Sequence, residues 1–235
     1  IKYIRIIIFK KMPNKFSICI TSYNRKDYLK NLLDYIYEKI NLEFSICIFD
    51  DNSNSFTKKY LNSIKKKKGI KIIIAKKNIG ECKTIHKIIN SVQSEYFMIL
   101  AEDDLVNIEF IKKSIKDLDK DKTLGFIGAK SLVMDKIRNR NYVISSKWKA
   151  KKYISSLNNS KKLIEQNLFI SSIIFRKNSI KNSLKICEIC DERSMISMLA
   201  FKSNFKIIDM IGSCFFVHKG SQSGQNHLFT LDNNI

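Results

Sequence analysis

One proline and one tryptophan, Trp148, occur in 235 residues, and no Gly/Ser-rich or Pro-rich stretch divides the chain. Fixed-period repeats are also missing, which excludes arrays and solenoids, so one domain is expected. No apolar run approaches the roughly eighteen residues of a membrane-crossing helix. Residues 1–11 are apolar and basic but too short for that role, and no small-residue cleavage site follows them. They read as an N-terminal extension, a cloning remnant or a weak surface anchor ahead of Met12-Pro13. Glycine-rich phosphate cradles are absent too. With no GxGxxG after the first strand and no GxxxxGK(S/T) anywhere, the usual dinucleotide dehydrogenases and P-loop ATPases are excluded.

Acid is the scarce charge: 22 Asp and Glu stand against 43 Lys and Arg, a formal net charge of +21. That sign favours anionic partners such as phosphorylated donors, acidic lipid headgroups or nucleic acid. A competing reading is compositional. Ile, Lys and Asn are abundant throughout, the bias of an AT-rich bacterial genome, and much of the lysine then sits on ordinary solvated faces. A nucleic-acid module would gather basic residues on one face among aromatics; these lysines are spread along the chain, and no specific nucleic-acid binding is expected. Cys19 and Cys47 fall in apolar strand-like runs, as small hydrophobes. Cys187 and Cys190 form a CxxC without the second half of a zinc site, and scattered free thiols suit a reducing cytoplasm.

What is present is an alternation of strand and helix signals, the pattern of a parallel α/β sheet. Strands are expected at 16–21, 44–50, 70–75, 96–101 and 124–129, with helices at 25–40, 55–66, 80–92 and 108–119. Beyond 130 the pattern loosens. Residues 131–163 are polar and lysine-rich, 168–176 read as a strand, 191–202 as a helix and 214–217 as a last short strand.

Three polar clusters fall directly after strands: Thr21-Ser22-Tyr23-Asn24, Asp50-Asp51-Asn52-Ser53 and Glu102-Asp103-Asp104. Each alone is ordinary turn or cap chemistry. Together they belong at one edge of a parallel sheet, beyond the strands' carboxyl ends, where ligands collect. Folding requires no such pile-up of carboxylates, which repel unless a cation or donor offsets them. Consecutive carboxylates offer hard oxygen ligands, suited to Mg²⁺ or Mn²⁺.

The runs FSICITSYNRKDYLKNLL, FSICIFDDNSN and SEYFMILAEDDL, in that order and spacing, resemble the inverting glycosyltransferases of family two, which have the GT-A fold. The resemblance covers residues 12–130 and weakens beyond. It implies a nucleotide-sugar-binding half at 12–130 and an acceptor-binding half of the same domain at 131–235. Thr21 and Tyr23 would line the nucleotide pocket, Asp51 would bond the edge of a uracil-type base and Asp50 would support that turn. Asp103 would contact ribose or metal, and Asp104 would hold the metal on the diphosphate. Asn78 and Gly80 match the family's N-x-G. Where relatives often carry Arg-Asn in the next helix this chain has Ile85-His86, leaving Lys83 as a substitute cation. Ala101 replaces the first acid of a full D-x-D-D, which shifts the metal role onto Asp104.

Inverting transfer needs a general base for the acceptor hydroxyl. The segment Cys190-Asp191-Glu192-Arg193 resembles the family's base-bearing helix start, so Asp191 is nominated, with Glu192 second; acids there also suit the helix dipole without any catalysis. His218 heads the stretch 218–224 as a further metal or diphosphate contact, equally readable as a surface-loop histidine. The resulting expectation is metal-assisted transfer with inversion from a nucleotide diphosphate sugar, UDP foremost, to a glycan or lipid-linked acceptor of a bacterial surface polysaccharide. The location would be cytoplasmic, with room for peripheral attachment to an anionic inner leaflet. A nucleotidyltransferase on a related fold, or a non-catalytic glycan- or nucleic-acid-binding module, are the alternatives.

Overall fold

The computed structural model describes residues 15–39, 44–67, 69–145, 147–166, 168–184 and 191–221. The segment 1–11, the Cys187/Cys190 pair, His227 and residues 222–224 of the stretch after His218 lie outside them.

Strands β1 (Phe16–Ser22), β2 (Ser45–Asp50), β3 (Ile70–Ile74) and β4 (Tyr96–Ala101) alternate with helices α1 (Lys26–Lys39), α2 (Ser55–Ile64) and α3 (Glu81–Ser91). β1, β2 and β4 are near-continuous apolar runs because helices cover both faces of the sheet. Next come β5 (Leu105–Val106), α4 (Ile108–Lys120), β6 (Leu124–Asp135), β7 (Arg140–Ile144), β8 (Lys152–Tyr153) and α5 (Leu157–Glu165). A 3₁₀ turn (Ile170–Ser172), β9 (Ile173–Arg176), α6 (Lys177–Leu184), α7 (Glu192–Lys202) and β10 (Asn204–Val217) follow. Side-chain caps fix where several helices begin: Asn54 accepts from the Thr57 N–H, Asn107 from Glu109, Ser156 from Asn159 and Asp191 from Ser194, each satisfying an amide with no partner inside its helix.

The sheet runs β3-β2-β1-β4-β9-β6-β10-β5, with β7 beside β6 and β8 beside β10. Its first four strands are parallel. β9 is antiparallel to both β4 and β6, and β6 is parallel to β10. Two reversals through β9 therefore restore the original direction, and β10 ends at the same edge as β1, β2 and β4. One apolar layer packs α1, α2 and α4 on the sheet; the other packs α3, α5, α6 and α7, with Trp148 buried in it.

The second half is more regular than its composition suggests. The strand expected at 214–217 is the end of the 14-residue β10, whose bulges interrupt the apolar alternation. The strand expected from 168 begins only at Ile173, after the 3₁₀ turn, and that expected at 124–129 continues to Asp135. Helices α5 and α6 carry too few apolar residues to announce themselves.

Candidate functional site

Strand register brings the polar clusters together. Ser22 of β1 is level with Asp50 of β2, and Thr21 with Ala101 of β4, so the turns after all three strands emerge side by side. β5 pairs with Ser213 and Cys214 of β10, which carries Asp103 and Asp104 towards His218. The result is a cleft of about 1010 Å³. Among its lining side chains are the carboxyls of Asp51, Glu81, Glu102, Asp103, Asp104 and Glu192, while Arg25 carries the one fixed positive charge among the described residues that line it.

The walls are braced by hydrogen bonds. Asn24 takes a left-handed conformation (φ 61°); its N–H donates to Ser53 Oγ at 2.8 Å and its side-chain oxygen accepts from the Asn54 N–H at 2.7 Å. Asp50 is fully buried, with both oxygens held by the N–H and hydroxyl of Ser53. Asp51 accepts from the N–H groups of Ile79 at 2.8 Å and Gly80 at 2.9 Å. Gly80, at φ 82°, starts α3 in a conformation that side chains beyond glycine rarely adopt. Tyr23 is 45% exposed at the mouth, while its N–H donates to the Glu102 carboxylate at 3.0 Å.

At the centre, Arg25 donates to Asp103 at 3.0 Å and to the carbonyl of Gly220 at 2.6 Å. His218 Nε2 lies 3.0 Å from the same Asp103 oxygen, and the imidazole stacks on Tyr28 with ring centroids 4.7 Å apart. The Gly220 N–H donates to His218 Nδ1 at 3.2 Å, which leaves Nε2 as the nitrogen facing Asp103. Asp104 is buried, and one of its carboxylate oxygens has no hydrogen-bond partner among the described residues. Ser171, which belongs to a buried hydroxyl chain with Ser213, Ser172 and Ser131, bonds to the Asp104 carboxylate.

Crowding shows in the acidities. Burial, then the Asp103 charge, pushes Asp104 well above the usual carboxylate range. Burial lifts Glu102 to about 8 against the opposing pull of Arg25. Glu192 is likewise pushed up to about 8, by lost hydration first and then by Glu81 and Asp191. Asp191 goes the other way: hydrogen bonds from Ser194 hold it below its ordinary value.

Thr21, Tyr23, Asp51, Asp103, Asp104, His218 and Glu192 all line the cleft, whereas Asp50, Lys83 and Asp191 do not. Asp50 lies beneath the turn that it braces. Lys83 is exposed on α3, so the cation sought there is not at the cleft. Asp191 is exposed and spent on capping α7, its oxygens accepting from the Ser194 N–H at 2.9 Å and hydroxyl at 3.0 Å. Sequence reasoning missed Arg25, although it stands in the first polar cluster's own run. It also missed Ser171, which nothing in the local pattern marks.

The cation question turns on donor chemistry. Asp103 and His218 converge as a hard oxygen and an imidazole, chemistry that fits Mn²⁺ or Mg²⁺, and Asp104 lines the same cleft. Among the described residues no three His, Cys, Asp or Glu side chains form a complete cage. Cations that travel with a diphosphate need only one or two protein carboxylates, since phosphate and water complete the shell.

The sequence profile described as glycosyl transferase family 2 matches residues 17–184. No curated protein sequence matches the chain. Among solved structures, S. aureus TarS 1–349 in complex with UDP-GlcNAc superposes with a TM-score of 0.69 at 20% identity, covering 89% of this chain and 60% of that one. The mannosyltransferase PcManGT from Pyrobaculum calidifontis, in complex with GDP-Man and Mn²⁺, gives a TM-score of 0.60 at 11% identity, covering 90% of this chain and 59% of that one. The chain thus spans about three fifths of the length of these structures, and at such identities the likeness shows the GT-A fold.

Proposed function

The chain belongs to glycosyl transferase family 2, and from that premise we propose that it transfers a sugar, with inversion, from a nucleotide diphosphate donor to an acceptor hydroxyl. The observation that carries this reading is the meeting of the three polar clusters, Arg25, His218 and Glu192 in one cleft. Tyr23 offers the exposed ring on which a base can stack. Asp51, its oxygens fixed by two backbone amides, presents an acceptor to a base N–H. UDP is the favoured nucleotide, as in the UDP-GlcNAc complex of TarS.

Asp103 and His218 would hold the divalent cation, with Asp104 in the wall of the same cleft. When bound, the cation offsets negative charge growing on the leaving diphosphate. Arg25, already poised over Asp103, supplies a second positive group there. Glu192 takes the base role in preference to Asp191, because it faces the cleft and its weakened acidity, with the pKa pushed up to about 8, matches proton transfer near neutrality. Its carboxylate accepts the acceptor's proton as the acceptor oxygen bonds to the anomeric carbon. The bond from that carbon to the diphosphate breaks on the opposite face, and the nucleoside diphosphate leaves with the electron pair.

The half at 131–235 would take the acceptor, a glycan or lipid-linked glycan. The test is a panel of nucleotide-sugars scored for thermal stabilisation and hydrolysis with and without Mn²⁺. UDP-sugars are expected to stabilise the protein only with the cation; a panel with no stabilising donor would overturn the assignment.

A further inference from the structure

A second concavity, of about 400 Å³, lies between α4 and the start of β10. Three of its lining residues, Lys113, Lys116 and Lys120, recur at i, i+3 and i+7, which puts them on one face of α4. Lys206 of β10 lines the same hollow, with Ile207 and Ile208 next to it in the strand. The acids in the same wall are already engaged: Asp117 pairs with Lys206 at 2.7 Å, and Asp209 pairs with Lys130. Lys113, Lys116 and Lys120 have no acidic partner among the described residues, whereas Lys112 pairs with Glu109 and Lys152 with Asp121.

Three uncompensated ammonium groups around a hollow repel one another and favour an anion that neutralises them together. The surroundings favour a surface over a free ion. β8 pairs with Phe205 and Lys206 of β10, so the segment just after it joins this end of the sheet. That segment presents Ile154 at 61% exposure and Leu157 at 55%, beside the exposed Lys149 and Lys151. Protruding aliphatic side chains beside uncompensated lysines suit the boundary between lipid headgroups and acyl chains. Lys206 is near the start of β10 and His218 follows its end, so binding here leaves the cleft open.

We propose that the α4/β10 hollow holds phosphate groups of anionic lipid headgroups, and that the Ile154–Leu157 segment inserts beside them. This does not depend on the transferase assignment, because none of these residues lines the cleft. The experiment is co-sedimentation with phosphatidylcholine vesicles containing about a third phosphatidylglycerol. Each lysine near such a surface contributes about fivefold, so K113Q/K116Q/K120Q is expected to weaken partitioning on the order of a hundredfold. A control triple on exposed lysines of the α2 region, K59Q/K65Q/K66Q, removes the same charge and is expected to change partitioning less than about fivefold. I154S/L157S is expected to weaken vesicle binding while leaving inorganic pyrophosphate binding, read by calorimetry, unchanged. An unchanged thermal midpoint in each variant shows that it folds. Equal losses in the two lysine triples would overturn the site, as would full binding by the first. Pyrophosphate held by the hollow without any vesicle binding would overturn the lipid assignment.

Discussion

Exchanging the roles of two adjacent acids is the sharpest test of the cleft chemistry. Glu192→Gln keeps the size of the side chain and removes its capacity to accept a proton. Transfer is expected to fall by about 10²–10⁴, the usual contribution of a positioned base, while UDP binding changes little. Asp191→Asn preserves the cap, because asparagine is as good an N-cap as aspartate, and is expected to leave transfer within about threefold. The free enzyme's kcat/KM should rise with pH as Glu192 ionises through about 8. That corresponds to roughly a tenfold increase between pH 7 and 9, and E192Q should abolish it.

Stability gives an independent check with a fixed sign. A carboxyl raised to about 8 from its ordinary 4.5 contributes stability that is present below pH 4.5 and lost as pH rises through about 8. E192Q should therefore lose less of its thermal midpoint than wild type between pH 5 and 8. Asp191, whose pKa is held below its ordinary value, contributes stability present above about 3.8 and lost only as pH falls below that, so its variant should track wild type across the same range. Product formation by coupled nucleoside-diphosphate release and melting by scanning calorimetry read the two effects. Near-normal turnover in E192Q, or a hundredfold loss in a stably folded D191N, would refute the assignment of the base.

Asp103→Asn and His218→Ala should each weaken Mn²⁺-dependent UDP binding at least about tenfold by calorimetry, with Asp104→Asn weaker in effect. Arg25→Ala should reduce kcat more than it raises KM, since the charge that it meets grows during bond breaking. Gly80→Ala, at φ 82°, should destabilise the fold by about 1 kcal/mol or more, measured by denaturant unfolding, while Gly220→Ala, at the loop beside His218, should cost less.

The parallel half was legible because its signals are local. Unbroken apolar strands ending in polar turns mark both the fold and the edge where ligands bind, and the clusters at 21–24, 50–53 and 102–104 meet there through register alone. The second half was hidden for physical reasons. The bulges in β10 break the alternation that identifies a strand, and α5 and α6 are short helices with few buried apolar residues. Within the site, residue type alone did not separate Asp191 from Glu192. Either acid suits the first turn of a helix. Which one caps and which one faces the cleft is decided by where α7 packs, through Met195, Ile196 and Leu199 against the core.

The cleft also explains why so acid-poor a chain concentrates its carboxyls. Glu81, Glu102, Asp103, Asp104 and Glu192 converge on one cavity with Arg25 as their fixed counter-charge, and four of them are pushed upwards chiefly by burial and then by neighbouring carboxylates. Packing did not force this, since apolar or amide side chains would fill the same positions without repulsion. The serine chain beneath Asp104 supplies hydroxyl donors but no positive charge, so the deficit stays at the cleft surface. A cation held by Asp103 and His218 would relieve it, and an anionic diphosphate in the cleft would in turn balance Arg25. Donor and metal should therefore bind with positive coupling: each is a poor ligand of the empty cleft and a better ligand of the cleft that holds the other.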